Sequence, residues 1–296
     1  MNFFQIIDQL AAVDPDVLDR FDSRRAVFNS LGSVAKRTAL AATPLFVGAL
    51  FQKAYAGTKS TPAEVLNYAL TLELLEADYY RLFLAAGTLP AGADTAAITQ
   101  IKKHEDAHVA LLTSAIRAAG GTPVTGSPTA GVRFKPSAFP ATYAGQLQVA
   151  QVLEDAGVRA YKGRAAELVG TTLLTTALQI HSVEARHAAH IRRMRGQQPW
   201  VSNGDDLAAH PVYSSGVTAT PSTTVTTAGG TFGIPAYTAP SPAENNIVQV
   251  GLPITTAFGT TAPNYPYSPA NAAAAFDEYL QAAEVLDASR AGGLLA

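Results

Sequence analysis

The sequence predicts an all-α protein: a four-helix bundle with one long crossover, N-terminal leader helices, and an irregular C-terminal extension ending in a helix. Three observations predict it. Between Thr61 and Gly196 the chain reads as four long runs with apolar residues at helical spacing. The breaks between those runs are short, long and short. One polar pattern, Glu…Tyr…Glu-x-x-His, is written twice, each time across a pair of these runs.

The first helix starts at Thr61-Pro62-Ala63-Glu64, with Thr at the cap, Pro at the first helical position and Glu three residues after the cap. Val65, Leu66, Ala69 and Leu72 carry its apolar face onward to about Ala86. Gly87 to Gly92 is a Pro/Gly turn. Asp94 can cap a second helix that reaches Ala119, where Gly120-Gly121 stops it. The third helix is expected from Pro140 or Ala141 to about Val169, the break at Gly170-Thr171-Thr172, and the fourth helix from there to Arg195-Gly196.

Loop length then decides the topology. Short breaks make helices one and two, and helices three and four, antiparallel hairpins. The segment between the hairpins is rich in Gly, Pro, Thr and Ser and about twenty residues long, which extended reaches about 66 Å. A 25-residue helix is about 37 Å long, so the segment can cross the whole bundle. Two hairpins joined by one long crossover are one of the standard connections of four-helix bundles.

The repeated pattern carries the chemistry. Glu73 and Tyr80, then Glu105 and His108, make the first copy; Glu154 and Tyr161, then Glu184 and His187, make the second. Residues i and i+3 share a helical face, so each Glu-x-x-His presents one oxygen and one nitrogen on one side. Each tyrosine follows its glutamate by two turns, on the same stripe and near that carboxylate. Four carboxylates and two imidazoles from four helices are the ligand set of a bundle-core dinuclear centre. An oxygen-rich site with one nitrogen per metal suits two iron or two manganese ions better than copper or structural zinc. A lone Glu-x-x-His is ordinarily a solvated pair; two at matched distance inside apolar helices are not. Five of the six histidines, at 104, 108, 181, 187 and 190, fall in these two clusters. His104, His181 and His190 are expected to be exposed or to make hydrogen bonds. Glu76, Asp78 and Asp155 are expected at the surface or behind the ligands, and Asp106 and Arg186 to face water or pair with neighbours.

Composition sets the bounds. The 296 residues are 48% hydrophobic and carry a net charge of −2, so nothing favours nucleic acid or an anionic membrane as a partner. With no cysteine, disulfides, iron–sulfur clusters, thiolate zinc and thiol nucleophiles are excluded. No Gly-rich phosphate loop or serine-hydrolase motif is present.

The stretch from Leu66 to Glu73 with Tyr80 resembles the first helix of bacterioferritins and other ferritin-like proteins. His104-Glu105-Asp106-Ala107-His108 and Glu184-Ala185-Arg186-His187 resemble the two Glu-x-x-His helices of that superfamily. The whole chain is similar to bacterial ferritin-like domain proteins related to the desiccation-associated proteins of plants, over residues 60–196. By residue match the resemblance implies Glu73, Glu105, His108, Glu154, Glu184 and His187 as metal ligands. It implies little about substrate, because such bundles host many redox reactions. Asp106 stands where bacterioferritins place a haem-ligating methionine, so no haem is expected. A rubrerythrin-type cysteine-ligated iron domain is excluded, and manganese catalases are similar but generally lack the full motif on the fourth helix. The long extensions speak against a storage cage, and homo-oligomerisation is left open.

Residues 1–56 form the leader. Ser23-Arg24-Arg25-Ala26-Val27-Phe28 resembles a twin-arginine export motif, followed by Lys36-Arg37, an apolar stretch from Thr38 to Phe51, and Ala54-Tyr55-Ala56. Export places the protein in the periplasm or cell envelope; if the leader is instead a pair of packing helices, the protein is cytoplasmic. The bundle is assigned to 57–198 and the extension to 199–296. Trp200, Phe232, Ile234, Tyr237, Leu252, Ile254 and Phe258 are expected to anchor the extension over the bundle, with a small hairpin. Ser268-Pro269 is expected to cap a last helix running to Gly292-Gly293, with Phe276, Tyr279, Leu280, Ala283 and Leu286 on one face.

The expected function is redox chemistry at a carboxylate-bridged dimetal site, with O₂ or peroxide as the oxidant: Fe(II) oxidation or peroxide disposal. Tyr80 and Tyr161 assist by hydrogen bonding to ligand carboxylates or by donating an electron. The competing expectation is a non-catalytic envelope or desiccation-protection protein that keeps the bundle as a scaffold.

Overall fold

The computed structural model describes residues 60–202, 205–216, 223–227, 230–234, 240–249, 252–253, 255 and 272–296. The leader with Arg24 and Arg25 lies outside these residues, as do Tyr237, Ile254, Phe258 and Ser268-Pro269.

Four long helices form the body: α1 (Pro62–Ala85), α2 (Ala93–Ala118), α3 (Tyr143–Ala165) and α4 (Leu173–Met194). Helix α1 packs on α2 and α3 on α4, and the two hairpins meet mainly through α1 and α3. The capping box at Thr61 forms as expected: Glu64 accepts from the Thr61 backbone at 2.7 Å, and the Thr61 hydroxyl accepts from Glu64 N at 3.3 Å. Asp94 does not cap α2. Gly92 holds the cap position, and Asp94 sits in the first turn, where its charge suits the helix dipole and its carboxylate accepts from the Tyr143 hydroxyl at 2.6 Å. Helix α3 starts later than Pro140 because Thr142 supplies the cap, accepting from Gly145 N at 3.2 Å. It also ends earlier, in a 3₁₀ turn at Ala166–Leu168.

The burial patterns divide the helices into two kinds. On α2 the buried residues are Ile98, Ile101, Glu105, His108, Leu112 and Ile116, a single stripe at three- and four-residue steps. On α4 the same stripe includes Ile180, Glu184, His187 and Ile191. In α1 and α3 burial extends nearly all round, because other chain segments cover their outer sides. The crossover covers α1: Asn67 accepts from Val124 N at 2.8 Å and donates to Thr122 O at 3.0 Å, and Asp78 accepts from Phe134 N at 3.0 Å.

The extension covers α3. Buried Arg159 donates to the carbonyls of Val212, Ser214, Pro242, Glu278 and Tyr279, and pairs with Glu244 at 2.9 Å. Arg192, on α4, pairs with Asp155 and Asp205. Asp155 and Asp78 are therefore buried and serve packing. Among the described residues two small hairpins occur, β1 (Thr223–Thr227) with β2 (Gly230–Ile234) and β3 (Val248–Gln249) with β4 (Leu252–Pro253).

The last helix differs from expectation. Ala272 and Ala273 are helical, residues 276–281 form neither helix nor strand, and a short α5 (Ala282–Val285) precedes a 3₁₀ turn at Ala291–Leu294. The backbone of 278–280 bonds to α3 and to another part of the extension instead of to itself: Leu280 N donates to Arg159 O at 3.1 Å, and Glu278 N to the Glu244 carboxylate at 3.2 Å. The chain passes so close to α3 that a Cβ on Gly163 would lie 1.9 Å from Leu280 O. Trp200, expected as an anchor, and Phe276, expected on the apolar face of the last helix, are exposed instead. Among the described residues no helix is long and apolar enough to cross a membrane.

Candidate metal centre

The six candidate ligands lie at mid-length of the four helices, one from α1, two from α2, one from α3 and two from α4. All are buried. Ligand atoms of Glu73, Glu105, His108 and Glu184 lie within 4.8 Å of one another, and so do those of Glu105, Glu154, Glu184 and His187. Glu105 and Glu184 belong to both quartets. The geometry thus sorts the set into two shared carboxylates between two Glu/His ends, Glu73 with His108 and Glu154 with His187.

Each imidazole turns its Nδ1 inward. His108 Nδ1 lies 3.0 Å from Glu73, 3.2 Å from Glu105 and 3.4 Å from Glu184. His187 Nδ1 lies 3.0 Å from Glu105 and 3.1 Å from Glu154. Burial acts against charge on both rings, but the facing carboxylates outweigh it and raise each to about 10. Burial pushes Glu73 up to about 8 and Glu184 well above the usual carboxylate range. Burial acts on Glu105 in the same direction, yet the hydrogen bond from His108 and the close His187 ring hold it at about 2.

The tyrosines correct one expectation. Tyr80 does not serve Glu73; its hydroxyl donates to Glu154, and the Tyr161 hydroxyl donates to Glu73. Two turns are about 11 Å of helix rise, too far for a tyrosine to reach back to its own glutamate. Helices α1 and α3 run antiparallel, so Tyr80 faces the level of Glu154 and Tyr161 that of Glu73. The sequence held this signal: the paired numbers, 73 with 161 and 80 with 154, have the same sum, as an antiparallel register requires.

The carboxylates also show what they lack. Glu105 Oε1 and both oxygens of Glu184 are buried without a hydrogen-bond partner; the 3.0 Å contact of Glu105 Oε1 with His187 is out of line for one. Buried carboxylate oxygens without hydrogen bonds are costly. Their convergence on shared space fits cations there, so the donor set passes the test for two divalent ions. Gly157, in the middle of α3, makes the room: a Cβ there would lie 3.0 Å from Glu184 Oε2 and 3.4 Å from Glu76 Oε1. A mid-helix glycine costs about 1 kcal/mol relative to alanine, and here it admits two carboxylates.

Residues 61–197 match the family model of the ferritin-like domain. Residues 61–197 are a ferritin-like domain. A comparison with curated proteins gives no match to the chain.

Two residues of the ferritin-like domain take one of the two roles the sequence left open for each, behind the ligands for Glu76 and hydrogen bonding for His104. Glu76 is fully buried beside the cluster, and burial together with Glu73, Glu154 and Glu105 raises it well above the usual range. Its signal was the three-residue step from Glu73, which puts both on the inward stripe. His104 is the other: its Nδ1 lies 2.8 Å from His187 Nε2, and the two rings are nearly parallel with centroids 5.1 Å apart. His190 and Arg186 are exposed, and Asp106 pairs with Lys102 at 2.5 Å. His181 lies off the cluster, half-buried. A cleft of about 410 Å³ opens between α2 and α4 and ends on His108 and His187, with Ala97, Ile101, Ala107 and Val183 in its walls.

Proposed function

We propose that the ferritin-like domain binds two iron or manganese ions and carries out redox chemistry with O₂ or peroxide, most simply Fe(II) oxidation. The observation that carries this reading is the pair of interlocking quartets, six buried ligands with three carboxylate oxygens among them that make no hydrogen bond. In this reading Glu73 with His108 would hold one ion and Glu154 with His187 the other, with Glu105 and Glu184 in reach of both. The bound ions would supply the electrons that reduce the oxidant. The chain itself does the rest. Tyr80 and Tyr161 orient the end carboxylates Glu154 and Glu73 by hydrogen bonds, and their own burial keeps both hydroxyls protonated, so they serve as donors. The cleft between α2 and α4 admits a small oxidant to the histidine side, while α1 and α3, covered by the crossover and the extension, close the opposite side to water.

The competing reading is a scaffold without chemistry. Adding Fe(II) anaerobically and then admitting O₂ separates the two. The redox reading expects oxidation of about two Fe(II) per chain, faster than in buffer, and lost in Glu105→Ala. A rate equal to that in buffer, with metal bound, leaves the scaffold reading.

The Arg24-Arg25 leader supports export to the periplasm or envelope. The twin-arginine route suits a metal centre assembled before translocation.

A further inference from the structure

The two ends of the candidate centre are related by the repeat, yet they are not equivalent. His104 precedes Glu105 by one residue; the residue in the same place before Glu184 is Val183. Both line the cleft. His187 therefore has an imidazole behind it, with His104 Nδ1 2.8 Å from its Nε2. His108 Nε2 makes no hydrogen bond among the described residues; the imidazole's contacts are through Nδ1. Resting on the two-ion reading above, we infer that His104 is a positioning residue that fixes the ring and tautomer of His187 and makes the Glu154–His187 end bind its ion more tightly than the Glu73–His108 end.

The proton inventory requires this direction. His187 directs Nδ1 at Glu105 and Glu154, so Nδ1 is the atom available to an ion and must be free of its proton when it binds. The remaining proton then sits on Nε2, and the hydrogen bond runs from His187 Nε2–H to His104 Nδ1. His104 in turn carries its proton on Nε2, 2.8 Å from the Gln100 amide. That contact is a hydrogen bond only if Gln100 turns its carbonyl oxygen to the ring, an orientation set by the network. The result is a chain from solvent-exposed Gln100 through His104 to His187, all donors pointing outward. Partners of this kind orient a ligating histidine and raise its basicity, and losing one typically costs about 10- to 100-fold in metal affinity.

The test is a metal titration of the full-length, metal-free protein, read by the visible absorption of Co(II) under anaerobic conditions. The wild type is expected to bind two ions in two separable steps. His104→Leu should weaken the tighter step by about 10- to 100-fold and leave the weaker one in place. His104→Asn keeps an acceptor oxygen where Nδ1 lies and should restore the tighter step. Should His104→Leu fail to fold, Gln100→Leu is read instead and should weaken the same step by a smaller factor. If each variant that folds binds both ions as the wild type does, His104 does not position His187 and the inference falls. A wild type that takes up no Co(II), Fe(II) or Mn(II) overturns the two-ion reading itself, a different failure.

Discussion

Loading the metal-free protein should release protons, and the raised groups of the cluster set the number expected. At neutral pH the empty cluster is held together by protons. His108 and His187 are raised to about 10, Glu73 to about 8, and Glu184 well above the carboxylate range. Binding requires both imidazole Nδ1 atoms and all ligand carboxylates to be proton-free. One proton from each imidazole and one from Glu73 give about three released per two ions at pH 7, and raised Glu184 adds to that number; Glu76, outside both quartets, is not counted. At pH 9, above the value for Glu73, the number should be smaller. The same shifts set a stability profile. A group raised in the folded state stabilises fully below its unfolded value, and that contribution is lost as pH rises through the folded value. For the imidazoles the loss runs from 6.5 to about 10, and for Glu73 from 4.5 to about 8. Metal-free protein should therefore melt higher at pH 6 than at pH 9, while metal-loaded protein should gain most from its ions at the alkaline end. Proton release is read with an indicator dye in weakly buffered solution during anaerobic titration with Fe(II) or Mn(II). Uptake of two ions with no proton released would refute the reasoning.

Two further predictions concern the rest of the chain. Arg159→Met removes the partner of buried Glu244 and five carbonyl contacts, so it should cost about 3–5 kcal/mol and open the 240–280 segment to limited proteolysis; an unchanged melting temperature and digestion pattern would show that Arg159 does not pin the extension. If Arg24-Arg25 direct export, native protein should have a mature N-terminus near Gly57, and Arg24→Lys with Arg25→Lys should retain it in the cytoplasm; an intact Met1 on the native protein would contradict export.

The helices were legible because their signals are local. Apolar residues at three- and four-residue steps, the Thr61–Glu64 box and the Pro/Gly breaks each act within a few residues. The convergence of Glu73, Glu105, His108, Glu154, Glu184 and His187 was legible because all six share the inward stripes that also carry Ile101, Leu112 and Ile180. What was not legible depends on how helices face one another. The exchange of Tyr80 and Tyr161 between halves follows from the antiparallel register of α1 and α3, not from any spacing within one helix. His104 looked like a surplus histidine because its partner is 83 residues away. The final helix failed for a related reason: the Ala-rich sequence favours helix locally, but Arg159 and Glu244 take the backbone groups of 278–280, and that stretch passes close against Gly163 of α3. Tertiary hydrogen bonds there override propensity.

The central claim is that the six buried side chains are one dinuclear metal site. Metal analysis of protein purified from iron- or manganese-supplied cells tests it most directly, comparing wild type, the double variant Glu105→Ala, Glu184→Ala, and His210→Ala as a control away from the cluster. Because both shared carboxylates are removed, the double variant should lose most of the metal, whereas wild type and His210→Ala should each hold about two ions per chain. Two ions per chain in the double variant would contradict the account.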